Sequence, residues 1–147
     1  MTEHGLDLSD DFTGRPGTAF VVGGSGGLGA AVVRKLAARG SDVAFTYRQN
    51  EASAAQLAQT VSDLGRQAWT IGLDLRNHDG CAQAIDAIAE AAGGIHTLVY
   101  AAGPHVPQKH LSKVTPAEMQ EQLDADASGF FAVASPALPH LRQTEGS

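Results

Sequence analysis

Cysteine is nearly absent from this chain: Cys81 is the one thiol in 147 residues. A disulfide framework and an internal metal site built on cysteines are therefore excluded. Charge is sparse, at 18% of residues, while 43% are apolar. A coiled coil needs more of the first, and a disordered chain has much less of the second. Basic residues are outnumbered, with 10 Lys and Arg against 16 Asp and Glu, for a net charge of -6. That balance argues against a nucleic-acid partner, which needs a basic footprint. No run of about 18 consecutive apolar residues occurs, so no membrane span is expected. The opening stretch, MTEHGLDLSDDFTG, is acidic and polar where a signal peptide is basic and then apolar. Together these absences make a soluble cytoplasmic protein the default expectation.

Glycine, by contrast, is plentiful, with 17 copies. The length suits one domain with a real core. Residues 1–17 read as a flexible acidic lead-in, and 18–147 as the domain itself. The domain opens with an apolar run, Thr18 to Val22, that stops at Gly23-Gly24-Ser25-Gly26-Gly27-Leu28-Gly29. Leu28, Val32 and Leu36 then recur at helical spacing, and Gly40 stands where a C-terminal cap belongs. The pattern repeats. Strands are expected at 43–47, 68–73 and 95–101. Between them lie helical stripes of Ala54, Leu57, Val61 and Leu64, and of Cys81, Ile85 and Ile88. Thr115-Pro116-Ala117-Glu118 forms a capping box with Pro at the first helical position. The helix it starts carries Met119, Leu123, Phe130 and Ala134, and Pro136 is expected to end or kink it. Strands alternating with helices predict an α/β fold, a parallel sheet of about four strands with helices on both faces.

The glycine loop lies between a strand and a helix. Glycines there permit a tight turn, close approach of backbone to a pyrophosphate, and packing of helix on strand. The helix N-terminus adds unpaired N–H groups and a positive dipole end. Strand before and helix after is the context a dinucleotide-binding loop requires. No Gly-Lys-Ser/Thr follows, so a Walker-type phosphate loop is excluded. About 20 residues on, a carboxylate would take the adenosine ribose hydroxyls. Thr46-Tyr47-Arg48 stands there instead, and a guanidinium suits a 2′-phosphate. NADP(H) is therefore favoured over NAD(H).

From Thr18 to its last residue the chain resembles the short-chain dehydrogenase/reductase family. Val22 to Gly29 is similar to that family's Thr-Gly-x-x-x-Gly-x-Gly loop, with Val22 in place of the threonine. Asp74-Leu75 matches the aspartate that hydrogen-bonds the adenine amino group. Tyr100-Ala101-Ala102-Gly103 falls on an Asn-Asn-Ala-Gly motif that lost both asparagines. The resemblance implies a Rossmann-type doubly wound sheet. It also implies a cofactor site of Gly23, Ser25, Gly27, Leu28, Gly29, Tyr47, Arg48, Asp74, Leu75, Ala101, Ala102 and Gly103. Many NADP-using members carry a basic residue where this chain has Gly26, so the NADP reading rests on Arg48, helped by Ser25.

The family's catalytic residues are a serine ending the fifth strand and a Tyr-x-x-x-Lys pair on the next helix. Tyr47 and Tyr100, the two tyrosines, have Glu51 and Pro104 four residues on. Asp126 aligns with an asparagine that bends the fourth helix and holds a relay water; ionised, it accepts but donates nothing. The resemblance thus implies an oxidoreductase moving hydride between NADP(H) and an alcohol or carbonyl compound. It is present here as the cofactor-binding half, lacking the C-terminal strands and expected to be inactive alone. Its fourth strand should carry an unpaired edge. Two alternatives stay open: a non-catalytic NADP-binding or scaffolding module, and one half of a split enzyme that needs a complementary chain. In the family the helix over 115–141 also builds a dimer contact, so Phe130 and Phe131 are core or interface. His105 and His110 read as solvated loop histidines, Cys81 as buried packing, and Trp69 as a sheet-packing residue.

Overall fold

A computed structural model describes residues 12–103 and 109–147. Four strands form one parallel sheet: β1 (Thr18–Val22), β2 (Val43–Tyr47), β3 (Ala68–Gly72) and β4 (Ile95–Tyr100). Their spatial order is β3-β2-β1-β4. The chain runs outward from β1 to β3, then crosses back to lay β4 on the other side of β1. Strand order therefore reverses between β1 and β4, and the crevice at the carboxyl ends of those two strands is where open α/β sheets bind ligands. The expected Rossmann-type sheet is the one observed. The strands match the apolar runs closely because each run is bounded by glycine or a polar turn.

Helices cover both faces. One face holds α1 (Gly27–Ala38) and α2 (Glu51–Asp63), packed on Val21, Val43 and Phe45. The other holds α3 (His78–Ala92) and α5 (Gly129–Gln143), packed on Phe20, Val22, Ala44 and Ile95. Alternate residues of β1 thus enter opposite layers, which is why the whole strand is apolar. Cys81 sits in the second layer with Ile85 and Val133. Trp69 packs against that layer from β3. Both fit the packing roles expected of them.

Three expectations need correction. The buried stripe of α1 is Gly29, Val33 and Ala37, one residue on from Leu28, Val32 and Leu36; Leu28 is 73% exposed. Leu64 lies at the C-cap of α2 and is exposed rather than core. Finally, Pro136 does not end its helix. Pro116–Leu123 forms α4, Asp124–Ser128 a π-helical turn, and α5 runs unbroken through Pro136 and Pro139. Burial of Val133, Ala137 and Leu141 outweighs the roughly 3 kcal/mol that a proline costs a helix interior. The π turn also shifts the helical face. Gly129, Val133, Ala137 and Leu141 point inward, while Met119, Leu123, Phe130 and Phe131 are exposed.

The outer edge of β4 is not wholly bare. Ser147 donates its N–H to the His96 carbonyl (3.0 Å) and accepts from the Leu98 N–H (2.8 Å). That is the alternation of a parallel ladder. Along Val99 and Tyr100 no further strand lies on that side among the described residues.

Candidate functional site

The glycine loop turns at the reversal point of the sheet, and its shape follows from close backbone approaches. Gly23 has φ +78°, and a Cβ there would lie 2.8 Å from the Ala102 Cα. Glycine is therefore needed twice over, for the conformation and for the space. The same approach sets the end of β4 against the loop, and Ala101 donates its N–H to the Val22 carbonyl (2.9 Å). A Cβ on Gly29 would strike the Gly23 carbonyl oxygen, and one on Gly24 would strike the Phe45 side chain. Gly27 and Gly103 have open space around them. The loop is pinned from β2 as well: the Gly23 N–H donates to the Thr46 hydroxyl at 2.8 Å.

The helix ends differ in how they are finished. Asn50 caps α2 and Asn77 caps α3, each accepting from a first-turn N–H; Thr115 and Glu118 form the expected capping box on α4. The N-cap of α1 is Gly26, which makes no side-chain cap, and no acidic residue stands in its first turn. The orphan N–H groups of α1 therefore open toward the crevice without a side-chain acceptor. Leu28 lies bare beside them.

Around this centre the structure gathers most of the residues singled out from the sequence. Ser25 is half-buried on the loop. Tyr47 ends β2, its ring beside Gly72. Arg48 follows it in the open, and its charge acts on Asp74. Asp74, past the end of β3, is already engaged. Its Oδ2 accepts from Arg76 Nη2 at 2.6 Å and its Oδ1 from the Arg76 backbone N–H at 3.1 Å. The Arg76 side-chain and backbone hydrogen bonds hold that carboxyl down at about 2, so it is ionised at any ordinary pH. Leu75 packs toward the α3–α5 layer rather than into the crevice.

Asp126 lies exposed in the π turn. The turn is tied to β4 by Tyr100, whose hydroxyl donates to the Ala125 carbonyl at 2.9 Å. Burial, then the charges of Asp126 and Cys81, pushes Tyr100 up to about 12, so the hydroxyl stays a donor. Its ring meets Phe130 edge-on at 5.5 Å. His110 is used locally, capping a short 3-10 turn through Ser112; His105 lies outside the described residues. Among the described residues no group of three or more His, Cys, Asp or Glu is clustered as a metal site requires. No described helix is long and apolar enough to cross a membrane.

Reading the sequence alone missed Thr46, Arg76 and the part played by Tyr100. An aspartate two residues before an arginine was the visible signal for the second. A tyrosine in place of the motif's first asparagine was the signal for the third. A threonine in an apolar strand gave no signal for the first.

A family profile described as short chain dehydrogenase matches residues 17–147. The 3beta-hydroxysteroid dehydrogenase 1 of Eggerthella lenta is 30% identical over 134 residues, covering 91% of this chain and 50% of that protein. A solved dehydrogenase/reductase from Sinorhizobium meliloti superposes with a TM-score of 0.84 at 34% identity, covering 91% of this chain and 52% of that one. A short chain dehydrogenase from Burkholderia cenocepacia, solved in complex with NADP, gives 0.79 at 32% identity, covering 86% and 52%. The chain spans about half the length of these relatives.

Proposed function

Because this chain belongs to the short-chain dehydrogenase family, we propose that it holds a nicotinamide dinucleotide across its glycine loop and orients it for hydride exchange with an alcohol or carbonyl compound. The observation that carries this reading is the uncapped N-terminus of α1, opening at the point where strand order reverses. The fit is chemical as well. The loop presents backbone N–H groups and no carboxylate, Gly27 leaves room for close approach, and exposed Leu28 offers an apolar face. When bound, the dinucleotide supplies or accepts the hydride.

The chain's own residues do the holding. Gly23 to Gly29, with Ser25 at the bend, receive the pyrophosphate. Thr46 fixes the Gly23 N–H. Ala101, Ala102 and Gly103 border the ribose by backbone. Asp74 flanks the adenine, with Arg76 keeping the carboxylate ionised and Leu75 packed behind it on the α3–α5 layer. Arg48, beyond β2, favours the 2′-phosphate of NADP(H) over the bare hydroxyl of NAD(H). Asp126 borders the reacting end as an acceptor. No Tyr-x-x-x-Lys occurs in the sequence, so this reading gives the chain binding without turnover, in a cytoplasmic setting where NADP(H) is supplied. The apolar side chains exposed over 115–141, Phe131 foremost at 70%, support association there with a second copy or a complementary chain.

The test is a pair of calorimetric titrations of the full chain. Arg48→Gln is expected to weaken NADPH about tenfold or more, the value of a charge-assisted contact, while NADH changes less than about twofold. A wild-type chain that binds neither nucleotide refutes the reading.

A further inference from the structure

At the amino ends of the strands, opposite the crevice, three segments meet on one residue. His96, near the start of β4, is 1% exposed. The half-buried ring of Phe12 stacks on its imidazole, 5.4 Å between centroids and 23° between planes. The Phe12 N–H donates to the Arg39 carbonyl at 3.2 Å, and the Arg15 N–H to the Phe12 carbonyl at 3.1 Å. Phe12 to Pro16 stands ahead of the family match, which begins at residue 17. From the C-terminal side, the Ser147 N–H reaches the His96 carbonyl.

Both ring nitrogens meet hydroxyls, and those bonds fix where the proton sits. Ser41 donates its hydroxyl to the Asp42 carbonyl at 2.6 Å. Toward His96 Nε2, at 3.3 Å, the same oxygen can then only accept, so Nε2 carries the ring proton. Nδ1 is left to accept from the Thr97 hydroxyl at 3.0 Å. A second proton would go to Nδ1. It would turn against a hydroxyl that donates there and place a cation where water does not reach.

The surrounding charges give that cation little help. Burial, then the Arg15 charge, holds the ring below the ordinary histidine value, and Asp42 opposes them. The Asp42 carboxylate is already engaged by Arg66 Nε (3.0 Å) and the Gln67 N–H (2.9 Å). Stacking on Phe12 favours a cation, but the Arg15 and Arg39 guanidiniums already lie 5.8 and 5.9 Å from the Phe12 centroid. A third cation on that ring meets two like charges.

We propose that Phe12 to Gly17 is an acid-released strap: it seats on neutral His96, and protonation of Nδ1 lifts Phe12 from the ring while the sheet and the crevice at its far end stay formed. Lifting Phe12 lets water reach the imidazolium and carries Arg15 away. The seated form binds the proton more weakly than the lifted one. Seating is therefore complete above about pH 6.5 and is lost as pH falls through the His96 midpoint. Each unit by which that midpoint lies below the ordinary value is about a tenfold gain in the lifted form. Release is independent of the dinucleotide reading, because the strap lies at the other end of the sheet.

The experiment follows the isotope-labelled full chain from about pH 8 to about pH 4, across the histidine range. The His96 ring signals give its midpoint. Amide exchange, corrected for the intrinsic rate at each pH, gives protection at Phe12 and Arg15. The midpoint is expected below about 6.5, with protection at Phe12 and Arg15 falling about tenfold per unit of displacement. Phe20 to Val22 should hold within about twofold over the same range. Phe12→Leu bares the ring and should raise the His96 midpoint by about half a unit or more. His96→Gln, which does not titrate, should leave protection of the strap flat. A His96 midpoint above about 6.5, or one that falls in Phe12→Leu, means that the stack favours the cation and overturns the strap. So does protection at Phe12 and Arg15 that is unchanged through the His96 titration, or lost together with that of Phe20 to Val22. Should His96→Gln fold poorly, Phe12→Leu decides alone, and an unmoved midpoint there overturns the proposal.

Discussion

Gly23→Ala is expected to abolish nucleotide binding and to lower stability by about 2–5 kcal/mol. Two costs add. The backbone at Gly23 has φ +78°, a left-handed conformation that costs a residue with a Cβ roughly 1–2 kcal/mol. The new methyl would also stand 2.8 Å from the Ala102 Cα. That neighbour is backbone and cannot swing aside, so overpacking adds about 1–3 kcal/mol. Relief comes only if the loop and the end of β4 separate. Separation breaks the Gly23–Thr46 hydrogen bond of 2.8 Å and opens the crevice. Thermal melting combined with NADPH titration reads both effects. Gly27→Ala, where nothing lies within 4 Å of the added atom, is the control: its stability should hold even if its nucleotide affinity falls.

Gly129→Ala is the second large effect, and it should depend on a residue 29 positions away. A Cβ on Gly129 would lie 2.9 Å from the Tyr100 hydroxyl and 3.3 Å from the Leu75 Cβ. The hydroxyl cannot retreat without leaving the Ala125 carbonyl it serves at 2.9 Å. That carbonyl belongs to the π turn, so the bond ties the turn to β4. Gly129→Ala is therefore expected to cost about 1–3 kcal/mol with Tyr100 present. Tyr100→Phe alone removes the donor and should cost about 0.5–1.5 kcal/mol, the net value of a part-buried hydrogen bond. The double variant should be more stable than the sum of the two losses by about 0.5 kcal/mol or more, because removing the hydroxyl makes room for the methyl. Denaturant melts of the four proteins give the cycle. Strict additivity contradicts the contact. Loss of the Tyr100 bond should also raise hydrogen exchange across Asp124–Ser128.

Much of this was readable from residues because the strands are near-continuous apolar runs with glycine at their ends. The errors fall where side-chain pattern and backbone geometry part company. In α1 the inward positions begin at Gly29, which has no side chain to count. Its burial comes from contact with the Gly23 carbonyl, so an apolar stripe drawn through Leu28 lands one residue early. In the segment after Thr115 the apolar residues Met119, Leu123, Phe130 and Ala134 suggest one regular helical period. The π turn over Asp124–Ser128 inserts an extra residue, and every later side chain rotates. Pro136 read as a stop because local preference says so, whereas the burial of Val133 and Ala137 decides the matter through tertiary packing. At the site, the glycine loop, Arg48 and Asp74 were legible as chemistry at fixed offsets from strand ends. Thr46 was not, since only the fold brings β2 against the loop. The edge of β4 was expected to stand unpaired, and Ser147 meets part of it with two hydrogen bonds.

If the crevice between β1 and β4 receives a nicotinamide dinucleotide, the backbone amides that line it must respond to the nucleotide. The most direct measurement is a titration of the isotope-labelled chain with NADPH, followed by backbone amide chemical shifts. Saturable shifts concentrated at Gly24–Gly29, Arg48 and Ala101–Gly103 are expected, absent in Gly23→Ala. Shifts confined to the outer face around His78, Phe131 and Ser135, or no saturable shifts at all, would contradict that placement.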